Sequence, residues 1–186
     1  ELAAKIRAAR DQKKIIGLAD SMAASAAYWL ISQTSEVVVT PSGQVGSIGV
    51  IAAHDDITGA LEQMGVKTTL ITSAPHKAEL YPESQLSDEA RADMQAKVDK
   101  YHAMFVADIA AGRGITSRAV EKNFGGGRML LAKDALAAGM VDKIATGEQL
   151  LSKLASAAGA KAETREPGLE ARLRERIARA VEVETA

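Results

Sequence analysis

Short runs of apolar and β-branched residues alternate along the chain with longer segments in which apolar residues recur at helical spacing. The strand-like runs cover residues 14–19, 36–40, 45–51, 66–72, 129–130 and 141–144. The helix-like segments cover residues 1–10, 23–31, 57–64, 88–111, 116–123, 133–138 and 149–158. Strands that alternate with helices are typical of the α/β class, so the pattern predicts an α/β fold with a largely parallel sheet.

The longest predicted helix, residues 88–111, carries the clearest core pattern. Ser87 stands directly before it, at the position where a serine side chain caps a helix. Apolar residues recur along one face of this helix at Met94, Val98, Tyr101, Phe105 and Ile109. We therefore expect this face to pack into the core.

The composition changes after Gly159, which predicts a boundary there. Residues 1–159 form the predicted core domain, and residues 160–186 form a linker followed by a charged helical tail. The tail is dense in Arg and Glu, and its apolar residues near heptad spacing are Leu169, Leu173, Ile177 and Ala180. It is either a solvated helix or a coiled-coil segment, and we favour a helix or tail that binds a partner.

The composition also excludes several classes of function. A net charge of −1 gives no general attraction to nucleic acid, and an aromatic content of 3% argues against a base-stacking surface. The absence of cysteine excludes disulfides, thiol catalysis and thiolate metal sites. No apolar run approaches the roughly 20 residues that span a bilayer, and no His, Asp and Glu residues stand at metal-ligand spacing. We predict no cofactor, no metal, no nucleic-acid partner and no transmembrane segment.

Ser25 is the strongest candidate for a chemical role. It lies between a predicted buried strand and an alanine-rich predicted helix, and its neighbours have almost no side chain. Small neighbours let a substrate backbone come close, and the free N–H groups of a helix start can stabilise an oxyanion. These are the requirements of an acyl-transfer nucleophile. The alternative is that Ser25 is only a helix cap.

A serine nucleophile needs a base, because its hydroxyl is a poor nucleophile at neutral pH. Lys77 follows a predicted strand in a loop stiffened by Pro75, and a lysine is a base where its surroundings lower its pKa. His54 and His76 are alternative bases, and Asp20 is a candidate third member of a triad. Each of these is equally compatible with an ordinary surface or loop position.

Two glycine-rich segments are weaker candidates. Ser47 lies between glycines in the segment 46–49, where its hydroxyl is positioned to orient an amine or simply to complete a turn. Gly125-Gly126-Gly127 lacks the Lys-Ser/Thr of a phosphate-binding P-loop, so we interpret it as a turn.

Taken in order, these segments resemble the Ser–Lys peptidases of the signal peptide peptidase A family, and most closely its phage branch, the capsid assembly (prohead) proteases. The resemblance runs from Ile15 to Ile144. It rests on the segments 20–28, 45–50 and 73–77, and on an ending at 127–142 shared with the wider ClpP/crotonase superfamily. It implies a ClpP/crotonase-like core of stacked ββα units, followed here by the charged C-terminal helix.

The resemblance also assigns roles to residues. It implies that Ser25 is the nucleophile, that Lys77 is the general base, and that the Ser47 hydroxyl positions the lysine. The backbone N–H of Ala26 is one implied oxyanion donor, although many members have Gly-Gly where this chain has Ala26-Ala27. The family takes its second donor and a substrate-pairing strand from a segment upstream of the nucleophile, so we expect the N-terminal part of the domain to be missing.

The function implied by the resemblance is a serine endopeptidase that cleaves scaffold or other capsid proteins during phage head assembly, in the host cytoplasm. Its substrate would bind as an extended peptide. The family also implies a homo-oligomeric ring, with capsid scaffold or portal protein as partners. In the family's cellular members, Ser and Lys of one site can come from neighbouring subunits or domains, so the dyad forms either within one subunit or between two. The alternatives are clearance of membrane signal peptides, a non-catalytic assembly module, and an acyl-CoA enzyme of the crotonase type.

Overall fold

The computed structural model describes residues 1–163. It divides them into a unit spanning Glu1–Ile144 and a second unit that begins at Ala145 and contains the helix Gly147–Glu163. This helix continues past its predicted end at residue 158. The charged tail predicted at 168–184 lies outside the described residues, and the predicted boundary after Gly159 stays a prediction.

The first sheet of the larger unit is parallel throughout. It consists of β1 (Ile16–Ala19), β3 (Glu36–Val39) and β6 (Lys143–Ile144), with β3 in the centre. The central strand is buried at Val37, Val38 and Val39, which explains why its sequence is a continuous apolar run rather than an alternating one.

The second sheet carries the segment that leads to Ser25. It consists of β2 (Met22–Ala24), β4 (Gln44–Gly46) and β5 (Met129–Leu131), in the order β2-β4-β5. Strands β2 and β4 are parallel, whereas β4 and β5 are antiparallel. The predicted α/β class with a largely parallel sheet is therefore confirmed.

Helices surround these sheets. They are α1 (Leu2–Arg10), α2 (Ala26–Ile31), α3 (Thr58–Gln63), α4 (Asp88–Arg113), α5 (Ser117–Asn123) and α6 (Ala132–Ala137). The core between helices and sheets includes Tyr28, Phe105, Ile109 and Phe124. No helix among residues 1–163 is long and apolar enough to cross a membrane.

The structure confirms the predicted cap of helix α4 but buries only part of its predicted core face. The Ser87 hydroxyl accepts a hydrogen bond from the Ala90 N–H at 3.1 Å. Phe105 and Ile109 are buried, whereas Tyr101 is 57% exposed. Met94 and Val98 are only partly buried. The core prediction is wrong at Tyr101 because, apart from Ala90, the buried residues of this helix begin only at Phe105.

Residues 49–89, called the exposed segment below, depart most from the sequence prediction. The strand predicted at 45–51 ends at Gly46, and the strand predicted at 66–72 forms no regular element. No side chain of residues 49–89 is buried, and Ile51 and Ile71 are 96% and 95% exposed. A strand needs a neighbour for its backbone hydrogen bonds, and the described residues pair none with these runs.

Asp142 directly precedes β6 and connects this strand to β3, the central strand of the first sheet. Its carboxylate accepts hydrogen bonds from the Val37 N–H at 2.7 Å and from Arg113 Nη1 at 2.9 Å. Burial raises the pKa of Asp142, but the hydrogen bonds from Arg113 and Val37 outweigh it and hold that pKa below its ordinary value. The ionised carboxylate therefore stabilises the fold.

We expect Asp142→Asn to cost roughly 1 kcal/mol of stability at neutral pH, since partial exposure screens the ion pair. A carboxylate whose pKa is lowered in the folded state stabilises the fold fully above its unfolded-state pKa of about 3.9. This stabilisation is lost as the pH falls through the folded-state pKa. The difference in Tm between parent and variant should therefore shrink as pH drops from about 5 to 2. Thermal unfolding measures it, with the exposed Asp55→Asn as control. A difference that stays constant over this range would contradict the assignment.

Candidate active site

Ser25 occupies a strained turn between β2 and α2. Its side chain is exposed, and its backbone has φ 51° and ψ −122°, a conformation that residues other than glycine rarely adopt. Its N–H donates a hydrogen bond of 2.8 Å to the carbonyl oxygen of Gly46, which fixes the turn. Strain held at a serine between a strand and a helix is typical of a functional position.

The neighbouring strand end explains how the sequence holds this turn. Ala24 pairs with Gly46 in the parallel register of β2 and β4, so Ser25 and Ser47 follow the adjoining carboxyl ends of two strands. Gly46 has φ 136°, and a Cβ there would clash with the carbonyl oxygen of Arg128. Ser47 has φ 55° and donates its N–H to the same Arg128 oxygen at 3.0 Å. The structure thus places the two predicted site serines side by side.

The first residues of α2 offer hydrogen-bond donors beside Ser25. Ala26 and Ala27 are exposed, and the Ala26 N–H has no hydrogen-bond partner within residues 1–163. Helix N–H groups at this position have no partner inside the helix and are available to an anion. The geometry is compatible with the predicted oxyanion donor, and that role stays a prediction.

Lys77 lies in the exposed segment. Its N–H donates to the Ala74 carbonyl at 3.2 Å within a turn, and its side chain is exposed. Within the described part of the chain, no hydrogen bond or ion pair joins Lys77 to Ser25 or Ser47. Among the described residues, the predicted nucleophile and base are therefore not hydrogen-bonded to each other.

The alternative bases do not assemble a triad either. His54 Nε2 lies 3.3 Å from the carbonyl oxygen of Tyr81, and His76 Nδ1 contacts Glu79. The hydrogen bond with Glu79 raises the pKa of His76, and the charges of nearby carboxylates add to this shift. Neither histidine is bonded to Ser25 among the described residues, and Asp20 is exposed.

Two further features bear on the site. Gly125–Gly127 forms a short 3₁₀ turn with positive φ at each glycine, so the predicted turn is confirmed.

A cavity of about 380 Å³ opens beside the segment that follows Ser47, between Gly49, His102, Phe124 and Gly127. Sequence patterns carry no signal for this cavity, because its walls come from helices distant along the chain.

Comparison with known proteins identifies the family. Residues 7–161 match the profile described as "Peptidase family S49". Capsid assembly protease C of Escherichia phage lambda is 32% identical over 152 residues, covering 82% of this chain and 34% of the lambda protein. Head-tail preconnector protein GP5 of Enterobacteria phage P21 is 33% identical over 148 residues, covering 80% of this chain and 29% of the P21 protein.

Among solved structures, a point mutant of 1510-N, a membrane-bound stomatin-specific protease, aligns with a TM-score of 0.46 at 16% identity. The alignment covers 81% of this chain and 61% of that one. The chain spans about a third of the length of the phage relatives that it matches. The match over residues 7–161 confirms the resemblance found in the sequence: the chain belongs to peptidase family S49, a family of serine peptidases.

Proposed function

We propose that the protein hydrolyses peptide bonds with Ser25 as nucleophile and Lys77 as general base. The observation that carries this proposal is the strained, exposed Ser25 turn. It lies beside the Ala26 N–H, which has no partner within residues 1–163, and beside the end of the strand that leads to Ser47. A serine that only caps a helix needs neither a strained backbone, nor a free N–H beside it, nor a neighbouring strand end. Membership of a serine peptidase family supports the same role.

The reaction follows from these positions. Neutral Lys77 Nζ takes the proton of Ser25 Oγ as Oγ attacks the scissile carbonyl carbon. The Ala26 N–H stabilises the oxyanion of the tetrahedral intermediate. The Lys77 ammonium then protonates the leaving amine, the C–N bond breaks, and water hydrolyses the remaining ester. Ser47 acts as a positioning residue, whose hydroxyl accepts a hydrogen bond from the lysine.

We propose that the dyad forms between two copies of the chain. No hydrogen bond joins Ser25 to Lys77 among the described residues, and the exposed segment leaves Ile51, Met64 and Ile71 at least 73% exposed. Apolar side chains that stay exposed in one chain are typical of an interface between subunits. We therefore propose a homo-oligomeric ring in which the exposed segment of one subunit brings Lys77 to Ser25 of the next. The ClpP/crotonase-like arrangement of stacked ββα units is part of the same proposal.

The proposed substrates are scaffold or other capsid proteins of a phage, bound as extended peptides in the host cytoplasm. The name of the lambda relative, capsid assembly protease C, supports this class. An extended peptide pairs its backbone with a strand edge and places side chains in pockets. The cavity of about 380 Å³ near Ser47 is a candidate for one such pocket. Capsid scaffold and portal proteins are the partners expected from this function.

A serine-directed phosphonate tests the nucleophile without knowledge of the substrate. We expect covalent labelling of the oligomeric protein at Ser25, detected by mass spectrometry of the labelled peptide, because an activated serine attacks phosphorus as it attacks a carbonyl. Ser42→Ala, which removes an exposed serine in a turn, should leave labelling intact, and Ser25→Ala should abolish it. An oligomer that labels no better than its Ser25→Ala variant would favour the non-catalytic assembly module instead.

A further inference from the structure

A histidine and two carboxylates converge beside the turn that carries Lys77. His76 and Glu79 belong to this turn, and Glu89 lies in the first turn of α4. One nitrogen of His76 and one carboxylate oxygen from each glutamate all lie within 4.8 Å of one another. These three residues are called the His76 cluster below. Glu89 follows Glu79 by ten positions, so the sequence spacing alone does not indicate a three-ligand metal site.

The chemistry of the His76 cluster fits a divalent transition-metal ion. Zinc takes imidazole nitrogen and carboxylate oxygen at about 2.0–2.2 Å, and it completes a three-ligand site with water. Imidazole with carboxylates selects a zinc-class ion over magnesium, which prefers oxygen ligands throughout. The side chains of His76 and Glu79 are 63% and 22% exposed, so the ligands have room to close onto an ion.

The location of the His76 cluster gives such an ion a structural role. The exposed segment buries no side chain, so apolar packing does not fix the turn at Lys77. Glu89 stands on a 26-residue helix whose second half is anchored in the core at Phe105 and Ile109. An ion held by a loop and a helix fastens the loop, as structural metals do in domains that lack enough core.

We propose that His76, Glu79 and Glu89 bind a zinc-class divalent ion, which fastens the Lys77 turn to the start of helix α4. The ion binds His76, the residue next to Lys77, and takes no part in peptide-bond cleavage. The proposal is independent of the peptidase activity, because it concerns binding and the order of a surface turn.

Zinc and cobalt binding to the untagged protein test the proposal. Calorimetry should show saturable Zn²⁺ binding with one ion per chain, and Co²⁺ should give the visible absorption of a four-coordinate site with nitrogen and oxygen ligands. We expect Glu89→Gln and His76→Ala each to weaken binding by at least about 10-fold, since each removes a ligand. The matched controls are Glu62→Gln and His102→Ala, which change the same residue types outside the cluster.

Limited proteolysis gives a second readout at the turn itself. Zn²⁺ should slow cleavage between residues 73 and 82 in the parent protein and leave the cleavage of Glu89→Gln unchanged. The proposal is overturned if Zn²⁺ does not bind, or if it binds equally well to Glu89→Gln and His76→Ala. Because all three side chains lie at the surface, these variants keep the core intact, and far-ultraviolet circular dichroism verifies this.

Discussion

Replacing Lys77 with alanine is expected to lower kcat for peptide hydrolysis by about 10⁴-fold, close to the effect of removing Ser25 itself. Without a base, the Ser25 hydroxyl keeps its proton and attacks a carbonyl poorly. Nucleophile and base act as a unit, so the double variant should be no slower than either single variant. Steady-state hydrolysis of a fluorogenic peptide by the full-length natural protein measures the effect.

The chain offers a matched control for this experiment. Lys67 is another exposed lysine of the exposed segment, and Lys67→Ala removes the same charge at a distance of ten positions from Lys77. It should retain the parent kcat. The competing base is His54, which lies in the same segment. If Lys77→Ala keeps full activity while His54→Ala abolishes it, the dyad is wrong and a Ser–His site takes its place.

The surroundings of Ser25 show what the sequence could and could not predict. The family resemblance carried by the segments around Ser25 and Ser47 predicts a common site, and the strand register places the two serines after adjoining strand ends. Strand β2 was missed because alanine is the strongest helix former, so the predicted helix started at residue 23. The pairing of Ala24 with Gly46 overrides that preference. A strand of three residues offers too short a pattern to be recognised by its periodicity.

The exposed segment shows why the remaining predictions failed. Residues 66–72 have the β-branched composition of a strand, but composition does not supply a partner for hydrogen bonding. Likewise, the spacing of Tyr101 matches a core face, yet 57% of this residue is exposed. Both errors arise because a local sequence pattern does not show whether a residue finds a neighbour to pack against or to pair with.

Mixing two inactive variants is expected to restore activity if the site forms between subunits. Ser25→Ala supplies an intact Lys77, and Lys77→Ala supplies an intact Ser25. When both chains are co-expressed and assemble at random, about one quarter of the interfaces combine the two intact residues, because each is present in half of the subunits. Specific activity should therefore rise from the background of either variant to roughly a quarter of the parent value.

Three features make this result decisive. A site built within one chain leaves every copy in the mixture with one defect, so its activity would stay at background. Co-expressing Lys77→Ala with a chain that carries both substitutions supplies no intact lysine, and it must remain inactive. Restored activity should also depend on protein concentration, because dilution separates subunits and with them the two halves of the site. Recovery in the mixture would show that the exposed segment reaches the Ser25 turn of a neighbouring subunit, and a mixture that stays at background would require Lys77 to reach Ser25 within its own chain.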